Sequence, residues 1–257
     1  MQGFITAYII NLKKSVKRHD YMQSILSPYS FIDIHFIEAV DGRTLSEEEV
    51  ERAFDNKNTI KHYGRELNRG EIGCTLSHRK CYATLLESDV PYALILEDDI
   101  KIMRDLSIVQ DINLDAIMNT QVPTILFLSG DYWYYKRRKI VSVYGAVGAY
   151  AYLINKAAAQ QILSHSQPYN VADDWFCYKK WGLQYKAIYP YIIDANVDME
   201  SFPSDVNQDQ WGNKKHLMSK KAILQSYWQG CIKRLLAACG HFEAKIRVID
   251  NKVVETR

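Results

Sequence analysis

Apolar and polar positions fall into blocks along this chain. Residues 4–12 are apolar and rich in β-formers, the pattern of a strand buried on both faces. Ser15 can cap a helix running to Leu26, with Pro28 just past its end. Residues 33–40 alternate in part, through Ile34 and Phe36, and predict a second strand closed by the turn pair Asp41-Gly42. Ser46 and Glu49 have capping-box spacing and open a short helix to Phe54. The polar stretch 56–68 reads as a surface loop. Between Gly70 and Glu87, Ile72, Leu76, Ala83 and Leu86 recur at helical spacing. Pro91 resets the chain for a hydrophobic strand at 92–96. Further strands are predicted at 124–128, 140–144, 148–154 and 184–189, and helices at 155–163 and 171–181. Strands alternating with helices predict an α/β sheet covered on both faces.

Charge sharpens this picture. The 32 Lys and Arg nearly balance 30 Asp and Glu. Residues 1–213 nevertheless carry 22 basic against 27 acidic residues, and residues 214–257 carry 10 against 3. The expected organisation is therefore one acidic domain, 1–213, followed by a basic extension, 214–257. Within that extension Ile223, Leu224, Tyr227, Trp228, Cys231, Leu235, Leu236 and Cys239 recur in three- and four-residue steps, flanked by Lys220, Lys221, Lys233 and Arg234. This is an amphipathic helix of the kind that lies on anionic lipid or packs on protein.

Other classes are excluded or disfavoured. A 257-residue chain that is 47% hydrophobic is neither disordered nor a small disulfide scaffold. Cys74, Cys81, Cys177, Cys231 and Cys239 are odd in number and form no CxxC pair, which predicts reduced thiols in a reducing compartment. The opening residues read as a strand rather than a signal peptide. The uncharged run 140–155 has 16 residues, short of the roughly 20 that a spanning helix needs. A soluble or peripheral protein is expected. The segment DYWYYKRRK (131–139) combines aromatics with cations and could stack sugar rings and meet anionic groups, or form a solvated hairpin. The acidic body argues against nucleic acid as a partner.

Candidate chemistry centres on ALILEDDI (93–100), a buried strand ending in Glu97, Asp98 and Asp99. Adjacent carboxylates repel unless solvent or a cation offsets them, and ligands of open α/β sheets collect at the carboxyl ends of strands. One or two carboxylates completed by substrate phosphates suit Mg²⁺ or Mn²⁺, although a solvated acidic turn fits the spacing equally. A second acidic pair, Asp173-Asp174, stands beside Trp175 and Phe176 and could supply a general base or an N-cap. A third constellation, GEIGCTLSH (70–78), puts Glu71, Ser77 and His78 within the first turns of a helix. As a pattern, it fits a satisfied structural histidine better than a nucleophile pair. GAVG (145–148) lacks the full phosphate-loop fingerprint.

Taken together, YIINLKKSVKR (8–18), AVDG (39–42), GEIGCTLSHRKCY (70–82), ALILEDDI (93–100), GAYAYLINKAAA (148–159) and VADDWF (171–176) resemble glycosyltransferase family 25, the bacterial lipooligosaccharide glycosyltransferases, many of them β-galactosyltransferases. The resemblance spans about residues 4–195. It implies a GT-A-type fold, a Rossmann-like mixed sheet flanked by helices, here with a C-terminal helical extension. It implies a UDP-sugar donor, Mn²⁺ or Mg²⁺, inversion at the anomeric carbon, and a glycolipid or oligosaccharide acceptor. By position, Asn11 and Arg18 would lie near the nucleotide, with Glu71, Ser77 and His78 beside the donor. Glu97-Asp98-Asp99 would be the metal and nucleotide motif, with Asp99 and Glu97 as metal ligands. Asp174 would be the general base, with Asp173 as the alternative. Gly148-Ala149-Tyr150 lacks the Thr of the commoner family pattern, which bears on donor-sugar contacts. A cytosolic donor and a membrane-held acceptor would place the protein on the cytoplasmic face of the bacterial inner membrane, held there by the basic extension. The competing functions are a metal-dependent sugar-nucleotide hydrolase or nucleotidyltransferase, and a non-catalytic glycan- or nucleotide-binding homologue.

Overall fold

The computed structural model describes residues 4–196 and 217–243, and the backbone of 246–249 and 252–255. The predicted boundary at 213/214 lies outside the described residues. In chain order the elements begin with β1 (Ile5–Asn11), α1 (Val16–Leu26), β2 (Ile32–Glu38), α2 (Glu47–Ala53), α3 (Asn56–Tyr63) and α4 (Arg69–Glu87). There follow β3 (Tyr92–Glu97), β4 (Ile100–Ile102), α5 (Leu114–Met118), β5 (Thr124–Phe127), β6 (Tyr132–Tyr134), β7 (Ile140–Ala146), β8 (Ala151–Asn155), α6 (Lys156–Leu163) and α7 (Trp175–Lys180). The chain continues through β9 (Gln184–Ile188), β10 (Ile193–Ala195), α8 (Lys220–Ala238), β11 (Phe242–Glu243), β12 (Ile246–Ile249) and β13 (Lys252–Glu255).

Nine strands form one sheet in the order β11-β6-β7-β9-β5-β8-β3-β1-β2. The β2-β1-β3 end is parallel, as βαβ connections through α1 and α4 require. Beyond it β8 runs antiparallel to both β3 and β5, β5 pairs parallel with β9, and β7, β6 and β11 continue antiparallel. This is the mixed, Rossmann-like sheet expected for a GT-A-type α/β fold. Small β4 pairs with β10 beside the carboxyl end of β3.

Period-2 alternation divides the core. On one face Tyr8, Ile10, Ala93, Ile95 and Tyr152 pack with Cys81, Tyr82 and Leu85 of α4 and with Trp175 and Tyr178 of α7. On the other face Ile5, Ala7, Ile9, Leu94 and Leu96 pack with Met22 and Leu26 of α1 and with Leu114 and Met118 of α5. Burying each large apolar side chain contributes about 1.5–3 kcal/mol. The alternation also decides the site, because the next residue after each buried pair inherits its face.

Three expectations change. Residues 56–63 are a helix rather than a loop. The Asp55 side chain accepts from Asn58 N at 3.0 Å, and Gly64 closes the helix at φ 73°. Its buried contact is polar: Thr59 Oγ1 donates to Tyr169 O at 2.8 Å, so no apolar stripe announces it. The helix predicted over 171–181 contracts to α7, leaving Asp173 and Asp174 ahead of it. In the 131–139 segment, Tyr132 and Tyr134 point into the core, which removes them as sugar platforms.

The described part of the basic extension rests on the body. Ser219 N donates to Lys61 O of α3 at 2.8 Å. Lys233 of α8 sits over the rings of Trp133 and Phe176, at 4.4 and 4.3 Å. β11 then joins the main sheet beside β6. Among the described residues no helix is long and apolar enough to cross a membrane.

Candidate functional site

The parallel strands β1, β2 and β3 end together at one edge of the sheet, and a cleft of about 250 Å³ opens there. Its walls come from the ends of β1 and β3, the 39–43 turn after β2, and the first turns of α1 and α4. Glycine lets these parts meet. A Cβ on Gly42 would stand 1.8 Å from Arg69 O, and one on Gly73 would stand 2.6 Å from Val40 O. Ser77 fastens the same contact, with its hydroxyl donating to Gly73 O at 2.6 Å and accepting from Val40 N at 2.8 Å. The AVDG and GEIGCTLSH segments are thus two sides of one backbone contact.

Register Ile10↔Glu97 sets Asn11 opposite Asp98. Both fall on the face of α1. Asn11 Nδ2 donates to Asp98 Oδ2 at 2.7 Å, and Arg18 NH1 donates to Asp98 Oδ1 at 2.8 Å and to Asp99 Oδ2 at 3.3 Å. Glu97 faces the other way, toward α4. There Glu97 Oε1 lies 3.2 Å from His78 Nε2, and His78 Nδ1 lies 2.7 Å from the hydroxyl of Tyr152. The Tyr152 hydroxyl continues to that of Tyr82 at 2.5 Å.

The three adjacent acids therefore differ in kind. Asp98 has both oxygens taken and is structural. Asp99 has the longer contact to Arg18. Burial, followed by the charge of Glu97, pushes its carboxyl up to about 6 against the pull of Arg18. Two neighbouring acids at the end of β3, Glu97 and Asp99, could hold a divalent cation completed by other oxygen ligands.

Glu71 does not line this cleft. It receives a two-pronged ion pair from Arg65, at 2.7 and 2.6 Å, and closes a capping box with Asn68 at the start of α4. Asn11 touches Asp98 and is not itself a wall of the cleft. Arg18, Ser77, His78, Glu97, Asp98 and Asp99 share the cleft walls.

The acidic pair before α7 splits as well. Asp174 caps α7 through Cys177 N at 2.9 Å, and its other oxygen takes His62 Nε2 at 2.8 Å and the Tyr63 hydroxyl at 2.7 Å. Burial raises its carboxyl, but these partners outweigh burial and hold it below the ordinary carboxylate range. Asp173 accepts from Gly148 N at 3.2 Å. Burial and the charge of Glu97 raise its carboxyl. Gly148 is itself pinned, since its carbonyl accepts from the Trp175 indole at 2.8 Å. GAVG is therefore a clamp on Asp173.

Cys74, one helical turn before His78, is a further cleft residue that the sequence pattern does not single out. It lines the cleft and is solvent-exposed there. Burial among protein atoms, then the charges of Glu97, Asp173 and Asp99, push its thiol upward. Its spacing to His78 was the available signal. All five cysteines are free, as their spacing predicts.

The cleft lies at the carboxyl ends of parallel strands in a mixed α/β sheet, the place where open sheets of this class take their ligands. The family model for glycosyltransferase family 25 (LPS biosynthesis protein) matches residues 4–177, and the chain belongs to that family. Procollagen galactosyltransferase 2 of Homo sapiens is 33% identical over 104 residues, 38% of this chain and 16% of that protein. A glycosyltransferase 25 family member of Drosophila melanogaster is 34% identical over 97 residues, 37% of this chain and 16% of that protein. The match thus spans about a sixth of the length of these relatives. Among solved structures, galactosyltransferase LgtC in complex with donor and acceptor sugar analogues aligns at TM-score 0.39 and 13% identity, over 70% of this chain and 73% of that one. The glycosyltransferase GlyE of Streptococcus pneumoniae TIGR4 aligns at 0.42 and 10%, over 90% and 65%.

Proposed function

We propose that this chain is an inverting glycosyltransferase that moves a hexose, galactose in first place, from a UDP-sugar to a hydroxyl of a lipooligosaccharide-type glycan. The observation that carries this reading is the division of labour among the three acids that line the cleft and Asp173, which lies outside its lining but close enough to feel Glu97. Asp98 is locked, Asp99 and Glu97 are poised for a cation, and Asp173 stands within electrostatic reach of Glu97. Family membership supports the reaction class, and the relatives' names support galactose.

In this mechanism the donor diphosphate lies along the edge formed by β1, β3 and the 39–43 turn. Mn²⁺ or Mg²⁺, when bound, would neutralise charge on the diphosphate, held by Asp99 and Glu97. Arg18, fixed by Asp98, keeps its guanidinium beside that position. Asp173 takes the proton from the acceptor hydroxyl as that oxygen attacks the anomeric carbon, and the bond from that carbon to the diphosphate oxygen breaks, UDP leaving with the electron pair. Its raised carboxyl makes it the better base, because a base works best with a pKa near the working pH. Asp174 holds the segment through His62, Tyr63 and α7, and its lowered carboxyl makes it a weaker base. No covalent intermediate is required.

The outer face of α8 supports a lipid-borne acceptor and peripheral attachment to an anionic membrane. Leu224, Tyr227, Trp228 and Leu235 are each at least 60% exposed there, with Lys220 and Lys221 at the start of the helix. Product analysis with UDP-galactose and Mn²⁺, with and without a glycan acceptor, tests the function. Acceptor-dependent galactosylation with an inverted anomeric centre is expected. Donor hydrolysis that is indifferent to acceptor would support the hydrolase instead and overturn the proposal.

A further inference from the structure

We propose that Cys74, His78 and Glu97 form a binding site for a thiophilic divalent ion, zinc above all, which shares Glu97 with the Asp99 position. Among the described residues these three alone group as metal-ligating side chains, with ligand atoms all within 4.8 Å of one another. The arrangement is built by the fold. Cys74 and His78 are four apart on α4 and share one face of the helix, while Glu97 reaches them from the end of β3.

Thiolate, imidazole and carboxylate are the ligand set of zinc, and three protein ligands leave a fourth position for water. The bond lengths of a tetrahedral zinc site place ligand atoms roughly 3.5 Å apart. Glu97 and His78 already lie at 3.2 Å. Closing the site therefore needs Cys74 to approach that pair by no more than about 1.3 Å, within the reach of side-chain rotation.

The outer contacts fit as well. Metal-bound histidines orient through a hydrogen bond from the second ring nitrogen, and His78 Nδ1 has Tyr152 at 2.7 Å, itself backed by Tyr82. On binding, Sγ and Nε2 each form a bond to the ion. The thiol proton and the proton that Nε2 shares with Glu97 are displaced, one to solvent and one to Nδ1 or solvent, and the bound imidazole carries its remaining proton on Nδ1, donating to Tyr152. No electron changes hands. Hard ions such as Mg²⁺ have little preference for a thiolate, so the two positions select different metals. Binding at this site is independent of the proposed transfer activity. Only the expected competition for Glu97 rests on that reading.

Cobalt(II) titration of the full, reduced chain tests the site, because a thiolate ligand gives a sulfur-to-cobalt charge-transfer band and a tetrahedral site gives intense d–d bands. Both are expected, and zinc should abolish them. Cys74→Ser should remove the charge-transfer band, whereas Cys239→Ser, at the other exposed cysteine, should keep it. Tyr152→Phe should weaken zinc about 10- to 100-fold. No band in the wild-type chain, a band surviving Cys74→Ser, or a band lost with Cys239→Ser overturns the proposal. Circular dichroism of each variant separates loss of the site from loss of the fold. If the bands follow this pattern while zinc leaves any donor turnover untouched, the shared use of Glu97 is wrong and the site stands.

Discussion

Gly42 and Gly73 meet backbone to backbone: a Cβ on Gly73 would lie 2.7 Å from Gly42 N. This contact seats the turn after β2 on the first turns of α4, and the two together wall the cleft. Gly73→Ala should destabilise the protein by about 1–3 kcal/mol through overpacking. Because the displaced groups are cleft walls, donor affinity should fall beyond what the loss of folded fraction explains. Thermal melts and donor titration on the same samples separate the two effects.

Asp173 and Asp174 should respond differently to the same change. Asp173→Asn removes the proposed base and leaves a side chain that still accepts from Gly148 N, so kcat should fall about 10²- to 10⁴-fold with little change in stability. Asp174→Asn breaks a buried contact with His62 and Tyr63 and should cost about 1–3 kcal/mol. The folded pKa of Asp174 is depressed, so its contribution is present above the unfolded value near 4 and is lost as pH falls through the lower folded value. Urea midpoints from neutral to acid pH, alongside turnover, check both. Full kcat in Asp173→Asn would remove the base assignment.

Asp99 should destabilise the metal-free protein at neutral pH. Its folded pKa of about 6 exceeds the unfolded value near 3.9, so the folded state binds the extra proton. Stability therefore falls as pH rises from about 4 to about 6 and stays lower above that. With a discount for its partial exposure to the cleft, Asp99→Asn should stabilise the metal-free chain by about 1–2 kcal/mol at pH 7. Saturating Mn²⁺ should reverse the order, stabilising the wild type and not the variant. Melting curves with chelator and with Mn²⁺ decide it; a variant that gains as much from Mn²⁺ would discount Asp99 as a holder.

The outer face of α8 should bind anionic vesicles. Trp228→Ser with Tyr227→Ser should reduce flotation without unfolding the body, since both side chains are more than 60% exposed. Lys220→Gln with Lys221→Gln should weaken it by about 1 kcal/mol per charge, an effect that salt removes. Flotation that ignores both pairs and the ionic strength would exclude a lipid contact here.

Strands with continuous apolar runs, such as β1, β3 and β8, were legible because period and burial agree. Short strands were not. β4, β6, β10 and β11 have two or three residues each, too few to show a period. The cluster of candidate residues was legible by motif, but their roles depended on which face each occupied. Glu71 lay in the strongest motif and proved to be a capping residue held by Arg65. Asp173 and Asp174 look equivalent until the start of α7 and the partners from α3 are known, and α3 itself carries no apolar stripe. Cys74 was hidden by the ordinary reading of a buried, inert thiol.

The pairing of β11 with β6 gives the far end of the chain a second task. Tyr134 N donates to His241 O at 2.9 Å and the Tyr134 hydroxyl to Gly240 O at 3.0 Å, so residues just past α8 occupy the open edge of the sheet. A chain cut before α8 would lose the cover on this edge along with the helix. It would present an unpaired, aromatic-rich strand on which a second copy could pair, and self-association would follow. During synthesis the same edge stays bare until α8 and β11 have emerged.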